Sequence, residues 1–221
     1  MQPRADFHED FGLSGLTRVV QSRFVPRTEA GCLCTARNVL EVEGQPFAEE
    51  VVEDVRRLTQ SSLSDDVLST LWLAATEARF DPVAAGLGIR AWLLRIADTC
   101  VACIREVEPS FDPAMPGPAG HPEIRDAVLA ELRDIGPALA QKAVTSLYAP
   151  PLPALVPSLE EAVTELGPDL GFRLFLRAMK VYLVPIGPGR LDRYQRIGRS
   201  LGYNELVVTD GSLNIWYDLE D

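Results

Sequence analysis

The chain has 221 residues, 47% of them hydrophobic and 24% charged, with a formal net charge of −11. That length can bury a core without disulfides or metal, and the composition excludes wholesale disorder. The acidic balance argues against general binding to nucleic acid or to an anionic membrane and favours a basic partner.

The bases are arginine except at Lys142 and Lys180, which with abundant Ala, Leu, Gly and Pro reads as the coding bias of a high-GC bacterial genome. The first residues, MQPRADFHED, lack the basic start and apolar run of a signal peptide. This predicts a cytoplasmic chain whose four cysteines stay reduced. The longest uncharged run, Ala143–Leu159, carries four prolines (150, 151, 153 and 157), so no membrane span is expected.

In chain order, a helix is predicted over Ser14–Phe24, with Leu16, Val19 and Val20 on one side and Pro26 as its stop. Residues 32–43 show little helical periodicity, and Val39-Leu40-Glu41-Val42-Glu43 before Gly44 reads as a short strand. Pro46 opens the next helix. Phe47, Val51, Val52, Val55 and Leu58 form its apolar face, opposite Glu49, Glu50, Glu53 and Asp54. Between Glu41 and Asp54 there are six acids and no base.

Ser64, followed by Asp65 and Asp66, has the chemistry of a helix N-terminus. The buried stripe it predicts runs through Val67, Leu68, Leu71, Trp72 and Ala75. After Asp81-Pro82 and the glycines 86 and 88, a second helix places Ile89, Leu93, Ile96, Cys100, Cys103, Ile104 and Val107 on one face. Residues 109–122 are rich in Pro and Gly and form the only plausible internal boundary of an otherwise single domain spanning 1–221. A helix follows from His121, with a break or kink at Gly136-Pro137. Ser158-Leu159-Glu160-Glu161 has the form of a capping box. Two further helices are expected, an apolar one over Asp169–Val184 and a short basic one over Leu191–Leu201. Glu205–Thr209, Asp210-Gly211 and Ser212–Tyr217 carry the signature of a type I′ β-hairpin, for which residues 39–43 could supply a third strand.

The expected fold is therefore mainly α, about seven helices in one domain, closed by a small C-terminal antiparallel hairpin. No residue set declares a chemistry. Cys32/Cys34 and Cys100/Cys103 have the spacing of a thiolate zinc site, but the second pair falls inside a helix, so core packing is the expected role of all four. His8 and His121 lack metal-binding spacing. There is no nucleophile elbow, and Gly86-Leu87-Gly88 lacks the third glycine and the preceding strand of a dinucleotide site. Neither a catalytic residue, a metal nor a cofactor is expected.

Charge asymmetry is the remaining signal. Leu170–Tyr203 holds seven bases (Arg173, Arg177, Lys180, Arg190, Arg193, Arg196 and Arg199) against Asp192 alone, net +6, which leaves −17 for the rest. Either these bases bind an anion, helped by the helix N-terminus after Gly187-Pro188-Gly189, or they are neutralised inside the fold. Internal neutralisation, by Glu41–Asp54 or by Asp218, Glu220 and Asp221, is the expected reading. The function that follows is a non-catalytic, protein-binding one. Its most concrete form is a bacterial immunity or antitoxin-type inhibitor that meets a basic toxin domain through the acidic face Glu49, Glu50, Glu53 and Asp54. The alternative is an enzyme or ligand-binding domain that holds a phosphate or carboxylate on Arg173, Arg177, Lys180, Arg190, Arg193 and Arg196.

Overall fold

The computed structural model describes residues 7, 9–113, 120–147, 149–209 and 212–220, with backbone alone at 39 and 40. Among them the chain forms ten helices: α1 Gly12–Val20, α2 Glu29–Glu43, α3 Gln45–Gln60, α4 Asp65–Ala75, α5 Ile89–Val107, α6 Pro122–Thr145, α7 Leu155–Leu166, α8 Pro168–Val181, α9 Pro188–Ser200 and α10 Glu205–Thr209. The mainly helical class holds. The chain divides into two compact units, Phe11–Pro118 and Ala119–Asp221 with Met1–Asp10.

In the first unit α3 lies along α5, α1 packs on α3, and α2 packs on α5. Val51, Val55 and Leu58 of α3 are buried, as are Ile89, Trp92, Leu93, Ile96, Cys100 and Ile104 of α5. Val107, expected on the same face, is 82% exposed. Trp92 is the centre of this core. The Trp72 ring lies 5.5 Å from it and the Phe80 ring 4.9 Å, both edge-on, the geometry the ring quadrupole favours. Trp72 Nε1 donates to the Phe80 carbonyl at 2.9 Å, which satisfies its polar end.

Helix ends explain much of the local order. Ser64 caps α4 as its sequence predicts, accepting from Val67 N–H at 3.2 Å. Helix α1 has Phe11 at its N-cap, which has no oxygen to offer; the buried Asp54 carboxylate reaches across from α3 and accepts from Leu13 N–H at 2.8 Å. Arg90 of α5 joins the end of α3 to the start of α4. Its guanidinium donates to the carbonyls of Leu58 (3.3 Å), Thr59 (2.6 Å) and Leu63 and to Asp65 (2.8 Å).

The strand expected at 39–43 is helical instead. Among the side chains described in α2, Cys32, Thr35 and Ala36 are buried, at i, i+3 and i+4. These small or polar side chains keep helical spacing but give little hydrophobic contrast of their own. Gly31 sits where an added Cβ would lie 2.5 Å from the Pro26 carbonyl oxygen, so only glycine lets the turn fold back on α2. Gly44, at φ 85, ends the helix and hands the chain to α3. Helix α1 also stops earlier than expected, at Val20.

In the second unit α8 is buried along its whole length and packs on α6 and α7. Gly171 makes the α7 contact possible, because a Cβ there would come within 2.6 Å of Val163 Cα. Helix α6 runs through Gly136-Pro137 without ending, although Pro137 has no N–H to donate; Gly136 faces Val156 of α7, where an added Cβ would lie 3.2 Å from Val156 Cγ1. Ser158 is not a cap: it lies buried inside α7, and its N–H bonds to the Ala154 carbonyl at 2.9 Å. Tyr194 of α9 packs edge-on against Phe172 and Phe175 of α8, at 6.1 and 5.5 Å.

The C-terminal β-hairpin is absent. Its turn residues Asp210 and Gly211 lie outside the described residues, but both arms are placed. Glu205–Thr209 is the helix α10, started by the Asn204 side chain, which accepts from Leu206 N–H at 3.1 Å. Helical geometry buries the adjacent Val207 and Val208 together, with Val208 against Gly198 of α9; a strand would send them to opposite faces. The second arm finds a β partner elsewhere. Ile215 forms a parallel bridge with Ile186, through Ile186 N–H to Asn214 O (3.0 Å) and Trp216 N–H to Ile186 O (2.9 Å). The third strand proposed at 39–43 has no sheet to join among the described residues.

Candidate functional site

The basic stripe of α8 forms as its spacing predicts, and it faces inward. Arg173, Arg177 and Lys180 are all buried, at 1%, 2% and 4% exposure. Arg173 pairs with Asp169 one turn earlier at 3.4 Å, and the Tyr203 hydroxyl donates to the same carboxylate. Lys180 Nζ donates to the Val207 carbonyl at 3.3 Å, tying α8 to α10.

On α9, Arg190 is also buried. It reaches across to α6, donating to Asp134 at 2.8 Å and to Glu131 at 3.5 Å. Arg193 donates to the same Glu131, so one carboxylate serves two guanidinium groups. Burial alone would lower the Arg190 pKa; the nearby Tyr194, Asp134 and Glu131 outweigh it and raise the value. Burial pushes the Tyr194 phenol up, Arg190 opposes this and Glu131 adds to it. Arg196 is exposed, and Arg199 pairs with Glu205 at 3.6 Å.

The six anion-binding candidates therefore do not converge on one open site. Arg173, Arg177 and Lys180 belong to the interior of the helix layer, Arg190 and Arg193 are held by carboxylates of α6, and Arg196 alone of the six is exposed. The acids that neutralise them include Asp169, Glu131 and Asp134. The first could be read from the i,i+4 rule. The other two lie 56–62 residues from their arginines, and no local pattern announces them.

The acidic face of α3 is similarly divided. Glu49 is exposed and accepts from Gln45 Nε2 at 2.8 Å, Glu50 is half-buried, and Glu53 pairs with Arg57 at 2.6 Å. Asp54 is buried and caps α1.

Two of the cysteines are core residues: Cys32 and Cys100 are buried, and burial pushes their thiols up to about 11 and about 12. Cys34 is exposed and Cys103 half-buried, so packing does not account for all four. His121 is exposed at the start of α6; His8 lies outside the described residues. No group of three or more His, Cys, Asp or Glu is placed to hold a metal among the described residues, and no described helix is long and apolar enough to cross a membrane.

Sequence reasoning missed one surface feature. Leu183, Trp216 and Tyr217 are large, apolar and 59%, 56% and 80% exposed. In the expected strand the neighbours Trp216 and Tyr217 would point to opposite faces, so their joint exposure carried no local signal. No protein-family model matches the chain, and comparison with curated proteins and with solved structures found no match.

Proposed function

We propose that this chain is a non-catalytic protein-binding protein of the bacterial immunity or antitoxin type, working in the cytoplasm to neutralise a cognate toxin by covering its basic surface. The observation that carries the reading is the disposition of charge. Burial withdraws the cations Arg173, Arg177, Lys180 and Arg190 and the acids Asp10, Asp54 and Asp169. Among the described residues burial thus removes four cations and three acids from the surface of a chain whose formal net charge is −11. Such a surface attracts a basic protein at long range and repels nucleic acid and anionic lipid. Glu41, Glu43 and Glu49 contribute exposed carboxylates to it.

The test is genetic and then biochemical. The neighbouring open reading frame is expected to encode a basic toxin. Co-expression is expected to protect cells from that toxin, and the purified pair to form a complex that weakens as salt rises. A neighbour that is no toxin, together with the absence of any co-purifying partner, overturns the proposal.

A further inference from the structure

Exposed apolar side chains scattered singly over a surface need no explanation. Leu183 and Trp216 are not scattered, because both bond to the Asn214 side chain, and Tyr217 is the next residue along. The Asn214 side-chain amide donates to the Leu183 carbonyl at 2.8 Å, and its oxygen accepts from Trp216 Nε1 at 2.9 Å. The bridge to Ile186 fixes the Trp216 backbone from the other side. Leu219 N–H bonds to the Trp216 carbonyl at 3.1 Å; Asp218 lies within that turn and Glu220 just after it, both exposed. Leu183 itself is held at φ 49, in the left-handed region that a leucine seldom occupies. Residues 212–221 carry three acids and no base.

Trp and Tyr are the residues that most often dominate binding energy, and they do so best when their rotamers are fixed beforehand. An indole anchored by its own N–H through Asn214 has already lost the freedom that binding would otherwise remove. We propose that Leu183, Trp216 and Tyr217 form a docking ledge for apolar side chains of a cationic polypeptide, whose bases are met by Asp218 and Glu220. Charge complementarity selects this occupant: the carboxylates that follow the aromatic pair in the chain repel an acidic partner and pair with Lys or Arg. The ledge deepens the protein-binding reading and rests on it, supplying the apolar anchor that the acidic exterior alone lacks.

The experiment uses the full chain and two labelled peptides of equal positive charge, an amphipathic Leu/Lys helix and a Lys/Ser peptide, followed by fluorescence anisotropy near physiological ionic strength. The Leu/Lys peptide is expected to bind more tightly than the Lys/Ser peptide. Trp216→Ala and Tyr217→Ala are each expected to weaken it about tenfold or more, with the Lys/Ser peptide changed less than about twofold. The double variant Asp218→Asn, Glu220→Gln is expected to weaken both peptides and to flatten their salt dependence. Circular dichroism and the unfolding midpoint check that each variant is folded. Equal binding of the two peptides, or Ala variants that bind like the parent, overturns the ledge. So does a parent dimer that Trp216→Ala converts to monomer, which assigns the surface to a second copy. Loss of the ledge with toxin protection intact leaves the inhibitor reading standing; Trp216-dependent binding without toxin protection does the reverse.

Discussion

Replacing Gly171 by Ala is the sharpest test of the packing in the second unit. The added Cβ would meet Val163 Cα at 2.6 Å, Val163 Cγ2 at 2.7 Å and Val163 Cβ at 3.1 Å. Carbon atoms settle about 3.5–4.0 Å apart, so α7 and α8 must separate by about 1 Å. A gap of that size forfeits a quarter to a half of each dispersion contact across the seam, which is lined by the buried Leu159, Ala162, Val163, Leu166, Leu170 and Leu174. Overpacking of a tight core costs about 1–3 kcal/mol, and contact with backbone places this site at the upper end. Alanine recovers about 1 kcal/mol of helix propensity over glycine, leaving a net loss of about 2 kcal/mol. Urea unfolding followed by circular dichroism reads this as a lower midpoint at unchanged slope. Val163→Ala removes Cγ2 but not Cα, so it restores only part of the loss. Gly198→Ala meets the end of the Val208 side chain at 2.8 Å and Tyr203 only at 3.5 Å or more, and is expected to cost less. A Gly171→Ala protein as stable as the parent refutes the close approach of α7 and α8.

Four further outcomes follow from the same structure. Glu131→Ala takes one carboxylate from the buried Arg190 and from Arg193. Because Asp134 still accepts from Arg190, we expect a loss of about 2–3 kcal/mol, below the 3–5 of a buried charge left with no partner; an unchanged urea midpoint refutes the shared-acceptor geometry. Asp54→Ala strands the Leu13 N–H and is expected to cost about 1–3 kcal/mol, while Asp54→Asn, which keeps an acceptor oxygen, costs less; equal midpoints for the two variants refute the capping role. Thiol reagent at pH 8 is expected to modify Cys34 first and Cys32 and Cys100 only on unfolding, and rapid modification of Cys100 would refute its burial. Because burial raises the two core thiols from 9.0 to about 11 and about 12, their contribution to stability is complete below pH 9. It is lost between pH 9 and about 12, as the unfolded thiols ionise first. Cys100→Ala is expected to flatten that alkaline loss, and an unaltered slope counts against it.

Where one local signal stood alone, it was legible. Ser64 and Pro46 mark helix starts, and the apolar density of residues 170–183 marks a buried helix. Signals fail where a second term competes. The Asp210-Gly211 signature and the apolar alternation of Leu206 and Val208 with Leu213, Ile215 and Tyr217 favour a hairpin locally, yet Asn204 and the α9 surface around Gly198 stabilise a helical turn more. Helix α2 hides because Val39 and Val42 before Gly44 favour a strand locally, while the buried Cys32, Thr35 and Ala36 give little apolar contrast. Gly136-Pro137 reads as a break until the neighbouring Val156 supplies the reason for a small residue there. The i, i+4, i+7 placement of Arg173, Arg177 and Lys180 was readable, whereas the direction it faces depends on what packs over it, information that sits in α6, α7 and α10. The exposed aromatic pair was unreadable for the same reason, since exposure is a property of the missing neighbour.

The guanidinium of Arg90 makes the corner between α3 and α4 a long-range structure, although the loop itself is only four residues. Carbonyls at 58, 59 and 63 have their donor some 27–32 residues further along the chain. Closing a loop of that length costs about 3 kcal/mol of chain entropy. The corner thus combines two kinds of order: local bonds, such as Ser61 Oγ to the Leu58 carbonyl (2.7 Å) and Val67 N–H to Ser64 Oγ (3.2 Å), and the distant donor on α5, which is expected to slow amide exchange there only while that helix is docked. A lysine at 90 would keep the charge and lose the planar fork that reaches several acceptors at once. The corner would then open on its own timescale, independently of the core beneath it.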